Sequence, residues 1–291
     1  MEVQHRQSAR ISAQELARLV ELSEANAYES LVAAPESLVR DSLGLRSRRF
    51  GSALCVMAQG IPAALNLNRV IGLGMEQPVT DALLDEISAV YVPTGATFAI
   101  EVAPQAEPAD LKNLLRARRW RSLLAKAAMF AHDLKVVPIV ETDLRIERVG
   151  ADQAARLARI CCDVFEMPPG TLEILMAAHT QPGWVQWMGF AGDEPAGVAL
   201  SFMQDGVAWS GWAATLPAFR GRRFHAAYLA AALRHASQAG CTLFTAETAT
   251  GTPEQRDPAY RNLVKLGFEM LYERTTHLVR PALPAGSTMP V

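Results

Sequence analysis

Only four cysteines occur in the 291 residues, Cys55, Cys161, Cys162 and Cys241, and none lies in a Cys-x-x-Cys pair or at zinc-ligand spacing from a histidine. That removes a disulfide framework and a structural zinc site. The cysteines read as small reduced hydrophobes, Cys161 and Cys162 in one helical pattern with Leu157, Ile160 and Val164. An excess of either charge is lacking as well: 28 basic against 30 acidic residues leave −2, which gives no global case for binding nucleic acid or a membrane surface. No apolar run is long enough to span a bilayer, and Met1 to Arg10 is polar, without the apolar core of a secretory signal. A cytoplasmic location is the expectation. Nucleotide loops are missing too. There is no Gly-x-x-x-x-Gly-Lys-Ser/Thr, and Gly72-Leu73-Gly74 has Gln77 where a dinucleotide fingerprint has its third glycine, so it reads as a plain turn.

What is present is a core-forming chain. Hydrophobic residues make up 50% and charged residues 20%, which excludes disorder, and the length suits two domains with a core each. Pro138 interrupts regular structure, and Leu144 to Val149 alternates as a new strand, so the join is placed near 137–143 and the domains at 1–140 and 141–291. In the first, an amphipathic helix spans 12–32 through Leu16, Leu19, Val20 and Leu31. Strands at 53–57 and 69–73, a helix at 80–90, a strand at 97–102 and a helix at 109–119 follow. Residues 123–130 fit helix or strand. Arg116, Arg118, Arg119 and Arg121 beside Trp120 read as a solvated helix end, with an acidic partner as the alternative.

The second domain begins with helices at 152–165 and 170–179. Three strands in a meander follow at 184–191, 196–203 and 207–214, with turns at Asp193-Glu194 and Asp205-Gly206. Then comes the basic turn Pro217-Ala218-Phe219-Arg220-Gly221-Arg222-Arg223-Phe224-His225, opening an alanine-rich helix that Gly240 ends. The free N–H groups and positive end of a helix, joined by three arginines, suit a phosphate. A strand at 241–248 leads to Asp257 and Pro258 as N-cap and first residue of a short helix, ended by Gly267 before a last strand from Phe268.

Strand, basic turn, helix, strand, short helix and Gly-Phe, in that order, resemble the GNAT superfamily of acyl-CoA-dependent N-acyltransferases. Pro217-Ala218-Phe219-Arg220-Gly221 and Leu266-Gly267-Phe268 carry the resemblance, and Tyr260-Arg261-Asn262 is similar to two-domain bacterial members. It covers about residues 144–280, with its specific part in 213–268. It implies an α/β (α+β) fold of two such domains, each a mixed, mostly antiparallel sheet flanked by helices, the first a degenerate copy. It also implies acetyl-CoA as co-substrate, no metal, and a small-molecule or protein amine as acceptor; nucleic acid and membrane are not expected partners, and a homodimer stays open. Residues implied for the coenzyme are Ala213, Ala214 and Thr215 beside the pantetheine, then Arg220, Gly221, Arg222, Arg223, Phe224 and His225, with Asn262. Arg223 and His225 stand where the family pattern has glycines, so their side chains either fill the cradle or turn to the phosphates.

Acetyl transfer to an amine needs a base for the ammonium and an acid for the leaving thiolate. Trp209-Ser210-Gly211-Trp212 offers no carboxylate, so Glu247 on the following strand is the candidate base, the alternative being a strand-end or arginine-paired role. Relatives carry an acidic tyrosine where this chain has Leu263. Tyr260, one turn earlier, is the candidate acid, with protonation by solvent otherwise. Trp209 and Trp212 have opposite strand parity, which puts at least one toward the acceptor, and an aromatic wall favours an apolar or cationic one. A fold-retaining module that binds CoA weakly or works by protein contacts is the alternative function.

Overall fold

The computed structural model describes residues 11–252 and 255–280, so the polar Met1 to Arg10 lies outside the described residues. The first half begins with α1 (Ala13–Ala33), capped by the Ser12 hydroxyl, which accepts the Glu15 N–H. It continues through α2 (Ser37–Leu43), β1 (Leu45–Phe50), β2 (Ala53–Ala58), β3 (Arg69–Ile71), α3 (Asp81–Tyr91), β4 (Phe98–Val102), α4 (Leu111–Ala117) and β5 (Arg121–His132). The second half holds β6 (Arg145–Val149), α5 (Ala151–Phe165), α6 (Thr171–Ala177), β7 (Trp184–Ala191), β8 (Glu194–Gln204), β9 (Val207–Thr215), α7 (Phe224–Gln238), β10 (Leu243–Ala249), α8 (Pro258–Lys265) and β11 (Glu269–Val279).

All eleven strands join one sheet in the order β1-β2-β3-β4-β11-β5-β10-β9-β8-β7-β6. Among the described residues only β3/β4 and β9/β10 are parallel. Each half therefore runs an antiparallel set into one parallel pair, as the sequence resemblance implied. The final strands are exchanged: β5 of the first half pairs with β10, and β11 of the second pairs with β4 and β5. The expected boundary at residue 140 falls in the connection before β6, but strand pairing crosses it.

Helices α1, α5 and α6 pack on one face with Trp184, Met188 and Trp209, and α7 and α8 on the other with Phe130, Phe244 and Phe268. All four cysteines are free thiols; burial pushes Cys55 up to about 12. Among the described residues no helix is long and apolar enough to cross a membrane, and no group of three or more His, Cys, Asp or Glu is placed to hold a metal ion.

In the first half, the place corresponding to the basic turn is closed by its own residues. Gly72 and Gly74, both at φ +76°, form the turn. The Val79 N–H donates to the Glu107 carbonyl, and Glu107 N–H to Gly74. The Thr80 hydroxyl caps α3 by accepting the Leu83 N–H. Asp81 adds a negative charge to the first turn, and Arg118 pairs with Asp81 and Asp85 while lying over the Trp120 ring. The arginine cluster is thus partly consumed in tying α4 to α3, and the Thr80 cap and the Asp81 charge make this helix start a poor site for an anion.

Candidate active site

Strands β9 and β10 pair only from Val207↔Leu243 to Ser210↔Ala246 and then diverge. A bulge causes the divergence. Across β8 and β9, Val198 faces Ala214 but Leu200 faces Gly211, so β9 carries one extra residue, and Trp212 sits there at φ +56°. Beyond it β9 stays bonded to β8, while Glu247 to Ala249 stay paired with β5. The strand edge of Gly211 to Thr215 that would have met β10 therefore faces a gap. Two cavities of about 720 and 580 Å³ open there and share Ala213, His225, Asp257 and Ala259.

The smaller cavity is the basic end. Ala213, Ala214 and Thr215 line one side, Asn262 the other, and Arg220, Gly221, Arg223, Phe224 and His225 the floor. Among the described residues no side chain caps α7, whose first intrahelical bond is Ala227 N–H to the Arg223 carbonyl, so the N–H groups of Phe224 to Ala226 are left for a ligand. Arg223, at the first glycine position, holds the left-handed conformation that glycine favours (φ +65°, ψ 19°), so the turn keeps its path without the glycine. Arg222 is a correction to the expected coenzyme set. It pairs with Asp143, its carbonyl accepts the Thr142 hydroxyl at 3.0 Å, and it does not line the cavity. Its work is to tie the inter-half connection to the turn.

The Phe224 backbone lies at the cradle while its ring is wholly buried. Gly189 of β7 and Gly197 of β8, directly paired, make the slot for it: a Cβ on either would stand 2.4 or 2.5 Å from ring carbons. Packing this dense leaves no room for a methyl group. Gly197→Ala is expected to displace the start of α7, weaken acetyl-CoA binding about tenfold or more and cost ~1–3 kcal/mol of stability. Titration calorimetry alongside denaturant unfolding checks it; lost stability with unchanged affinity would separate the slot from the cradle.

His225 stands between the two cavities. Asn262 donates to its Nδ1 at 3.3 Å, and burial, opposed by Asp257, brings its pKa down to about 4. The ring is neutral near pH 7 and meets a phosphate as a hydrogen-bonding group, not a cation.

The larger cavity is aromatic. Trp209, Trp212, Tyr28, Phe165 and Met167 form much of its wall. Strand parity had put Trp209 and Trp212 on opposite faces, but the extra residue at Trp212 resets the alternation and both turn to the same side, at 5.8 and 6.2 Å from the Tyr28 ring. Trp187 packs on the other face of the sheet, against Tyr228. Neither indole N–H of Trp209 and Trp212 has a partner among the described residues.

Glu247 lies in this wall with 26% of its side chain exposed. Its carboxylate is paired with Arg274 and stands 3.9 Å from Arg69. Behind these arginines, Glu24 pairs with both, Glu101 lies at 3.7 and 3.6 Å from them, and Glu21 is 3.5 Å from Arg274. Burial, together with the Glu24 charge, pushes Glu247 up to about 7 against the pull of Arg274 and Arg69. The arginine pairing that was the alternative for Glu247 is thus present, and the carboxylate also lines the cavity.

Tyr260 is the second correction. It lines neither cavity, but packs edge-on against Phe130 at 5.0 Å beneath the Arg256 guanidinium. Pro258, Ala259, Asn262 and Leu263 are the α8 residues on the cavity side, and one helical step of about 100° carries Tyr260 away from Ala259. Sequence reading missed Tyr28, Asn66 and Arg69, which come from the first half, and Arg274 of β11. One signal was available: Glu24 falls in the stripe Ala17, Val20, Glu24, Ala27, Leu31, so spacing alone puts a carboxylate on the buried face of α1.

No protein-family model matches the sequence, and no curated protein matches it. Solved structures do. A GCN5-related N-acetyltransferase from Kribbella flavida is similar over 91% of this chain and 96% of its own, with a TM-score of 0.63 at 18% identity. One from Sphaerobacter thermophilus covers 94% of each chain (TM-score 0.57, 14% identity). A tandem GNAT protein from the clavulanic acid biosynthesis pathway covers 94% of this chain and 98% of its own (TM-score 0.55, 14% identity). The chain has the two-domain GNAT-type fold.

Proposed function

We propose that the protein is a cytoplasmic acyl-CoA-dependent N-acyltransferase that moves an acetyl group from acetyl-CoA to an amine with an apolar or aromatic body. The observation that carries this reading is the gap between β9 and β10, with a basic helix start at one end and Glu247 at the other. The cradle fits the coenzyme: three free N–H groups at α7, Arg220 and Arg223 suit a pyrophosphate, and the unpaired edge of Ala213 to Thr215 suits an amide-bearing arm. Acetyl-CoA supplies an activated acyl thioester.

Within this reading, residues of the larger cavity seat the acceptor. Trp209, Trp212 and Tyr28 cover its apolar part, and the carboxylate of Glu247 takes a proton from the ammonium, directly or through water. The freed amine forms the C–N bond and releases its surplus proton to solvent as the C–S bond breaks, and the thiolate takes its proton from solvent, since Leu263 and the turned Tyr260 leave α8 without an acid at the cavity.

Calorimetric titration with acetyl-CoA and with CoA tests the coenzyme half. Micromolar binding is expected, weakened about tenfold or more in Arg220→Ala, which loses charge-assisted bonds to phosphate. Binding that Arg220→Ala leaves unchanged would reject this cradle. No binding of either ligand would favour the non-catalytic module.

A further inference from the structure

We propose that the proton acceptor is a carboxyl pair shared between the two halves, Glu247 of β10 and Glu24 of α1, in which Glu24 is a positioning residue that sets the proton affinity of Glu247. The proposal rests on the reading of Glu247 as the base.

Glu24 is fully buried and cannot reach an acceptor, whereas Glu247 opens into the cavity. The same two guanidinium groups join them. Arg274 meets Glu24 at 2.6 Å through Nη1 and at 3.4 Å through Nη2, the nitrogen that also holds Glu247. Arg69 Nη2 is bonded to Glu24 and lies 3.9 Å from Glu247. A charge gained or lost on one carboxyl therefore redistributes bonds on the other.

The surroundings force a choice between them. From α1 come Glu21, Glu24 and Tyr28; from β3 and β4, Arg69 and Glu101; from β11, Tyr272, Arg274 and His277. Lys126 of β5, with His225 and Asp257, lies in the cavity wall. At the centre four carboxyls face two guanidiniums, and a buried surplus of two negative charges is costly, so protons stay on the least supported members. Glu24, with a close contact to each arginine, keeps its charge: burial opposes ionisation, but Arg274 and Arg69 hold it at about 2. Burial pushes Glu21 up, and it accepts the Tyr272 hydroxyl at 2.9 Å. Glu247 has one close guanidinium and the only opening to the acceptor, so the exchangeable proton is held there. When the ammonium N–H breaks and the Glu247 O–H forms, Arg274 and Arg69 both keep the unchanged Glu24 as an anionic partner.

The test uses the full chain labelled with 13C-glutamate. The Glu247 Cδ signal is assigned by its loss in Glu247→Gln and followed from pH 4 to 9, with no substrate present. The wild-type midpoint is expected near 7. In Glu24→Gln it should fall by about one pH unit or more, because a like charge is removed while both arginines stay. Glu24→Asp, which keeps the charge, should shift it less. A Glu247 midpoint unmoved in Glu24→Gln overturns the proposal; a role confined to packing would leave it unmoved. Should Glu24→Gln not fold, the wild type decides alone: the Glu24 signal must show an inflection at the Glu247 midpoint, and its absence overturns the pair. Neither readout needs turnover, so failure of Glu247 as the base, seen as unchanged turnover in Glu247→Gln, is distinguishable from failure of the coupling.

Discussion

Glu247→Gln is expected to lower turnover by roughly 10²–10⁴-fold, the usual contribution of a positioned general base, with acetyl-CoA affinity unchanged because the cradle is at the other end of the gap. The pH dependence sharpens the expectation. Only the deprotonated carboxylate accepts a proton, so wild-type kcat/KM should rise with pH through about 7 and level off above it. The variant should lose that limb. Stability moves the other way. A carboxyl whose pKa is raised in the folded state stabilises most below its unfolded value, and the contribution is lost as pH rises through the folded value. A neutral glutamine escapes that loss, so Glu247→Gln should unfold at a higher temperature than wild type at pH 8, with less advantage at pH 5. Turnover and melting curves at both pH values check both claims. Turnover within threefold of wild type would remove Glu247 from the chemistry.

Most elements could be read in the sequence because their patterns are local. The strand 184–191 has the expected bounds, and the helix at 12–32 is α1 to within a residue. The failures have physical causes. Strand β1 was missed because Arg46, Arg48 and Arg49 hide its alternation, as suits a strand at the sheet edge. Residues 123–130 were ambiguous because an alanine-rich apolar run fits either period. What makes them a strand is pairing with β11 on one side and β10 on the other, and both partners lie more than 100 residues away.

The same distinction holds at the site. Arg220, Gly221, His225 and Asn262 could be placed from chain order, since a strand, turn and helix in sequence bring them together. The acceptor end is made by elements remote in sequence: Tyr28 from α1, Arg69 from β3 and Arg274 from β11 converge on Glu247 only through the strand exchange. The bulge at Trp212 is a further case, because one inserted residue reverses strand parity without altering composition.

Arg274→Ala should produce the largest loss of stability, about 3–5 kcal/mol, because it removes one partner of a buried pair and leaves Glu21, Glu24, Glu101 and Glu247 facing Arg69 alone. For a protein whose total stability is on the order of 5–15 kcal/mol, that is a large fraction. Arg274 is 1% exposed, so water cannot take the place of the lost guanidinium. The loss should depend on pH with a definite sign. Arg274 lowers the pKa of Glu21, Glu24 and Glu247; without it the folded values of Glu21 and Glu247 rise further above the unfolded ones, and Glu24 loses part of the pull that holds it below. The folded variant then binds more protons than the unfolded chain, and its stability falls as pH rises. The deficit against wild type should accordingly be larger at pH 8 than at pH 5, measured by denaturant unfolding. Equal deficits at the two pH values would mean that Arg274 acts through packing and not through the carboxyls. Since β11 lies between β4 and β5, the loss should be felt by both halves in a single transition. Two separate transitions, with only one displaced, would show that the exchanged strands do not couple them.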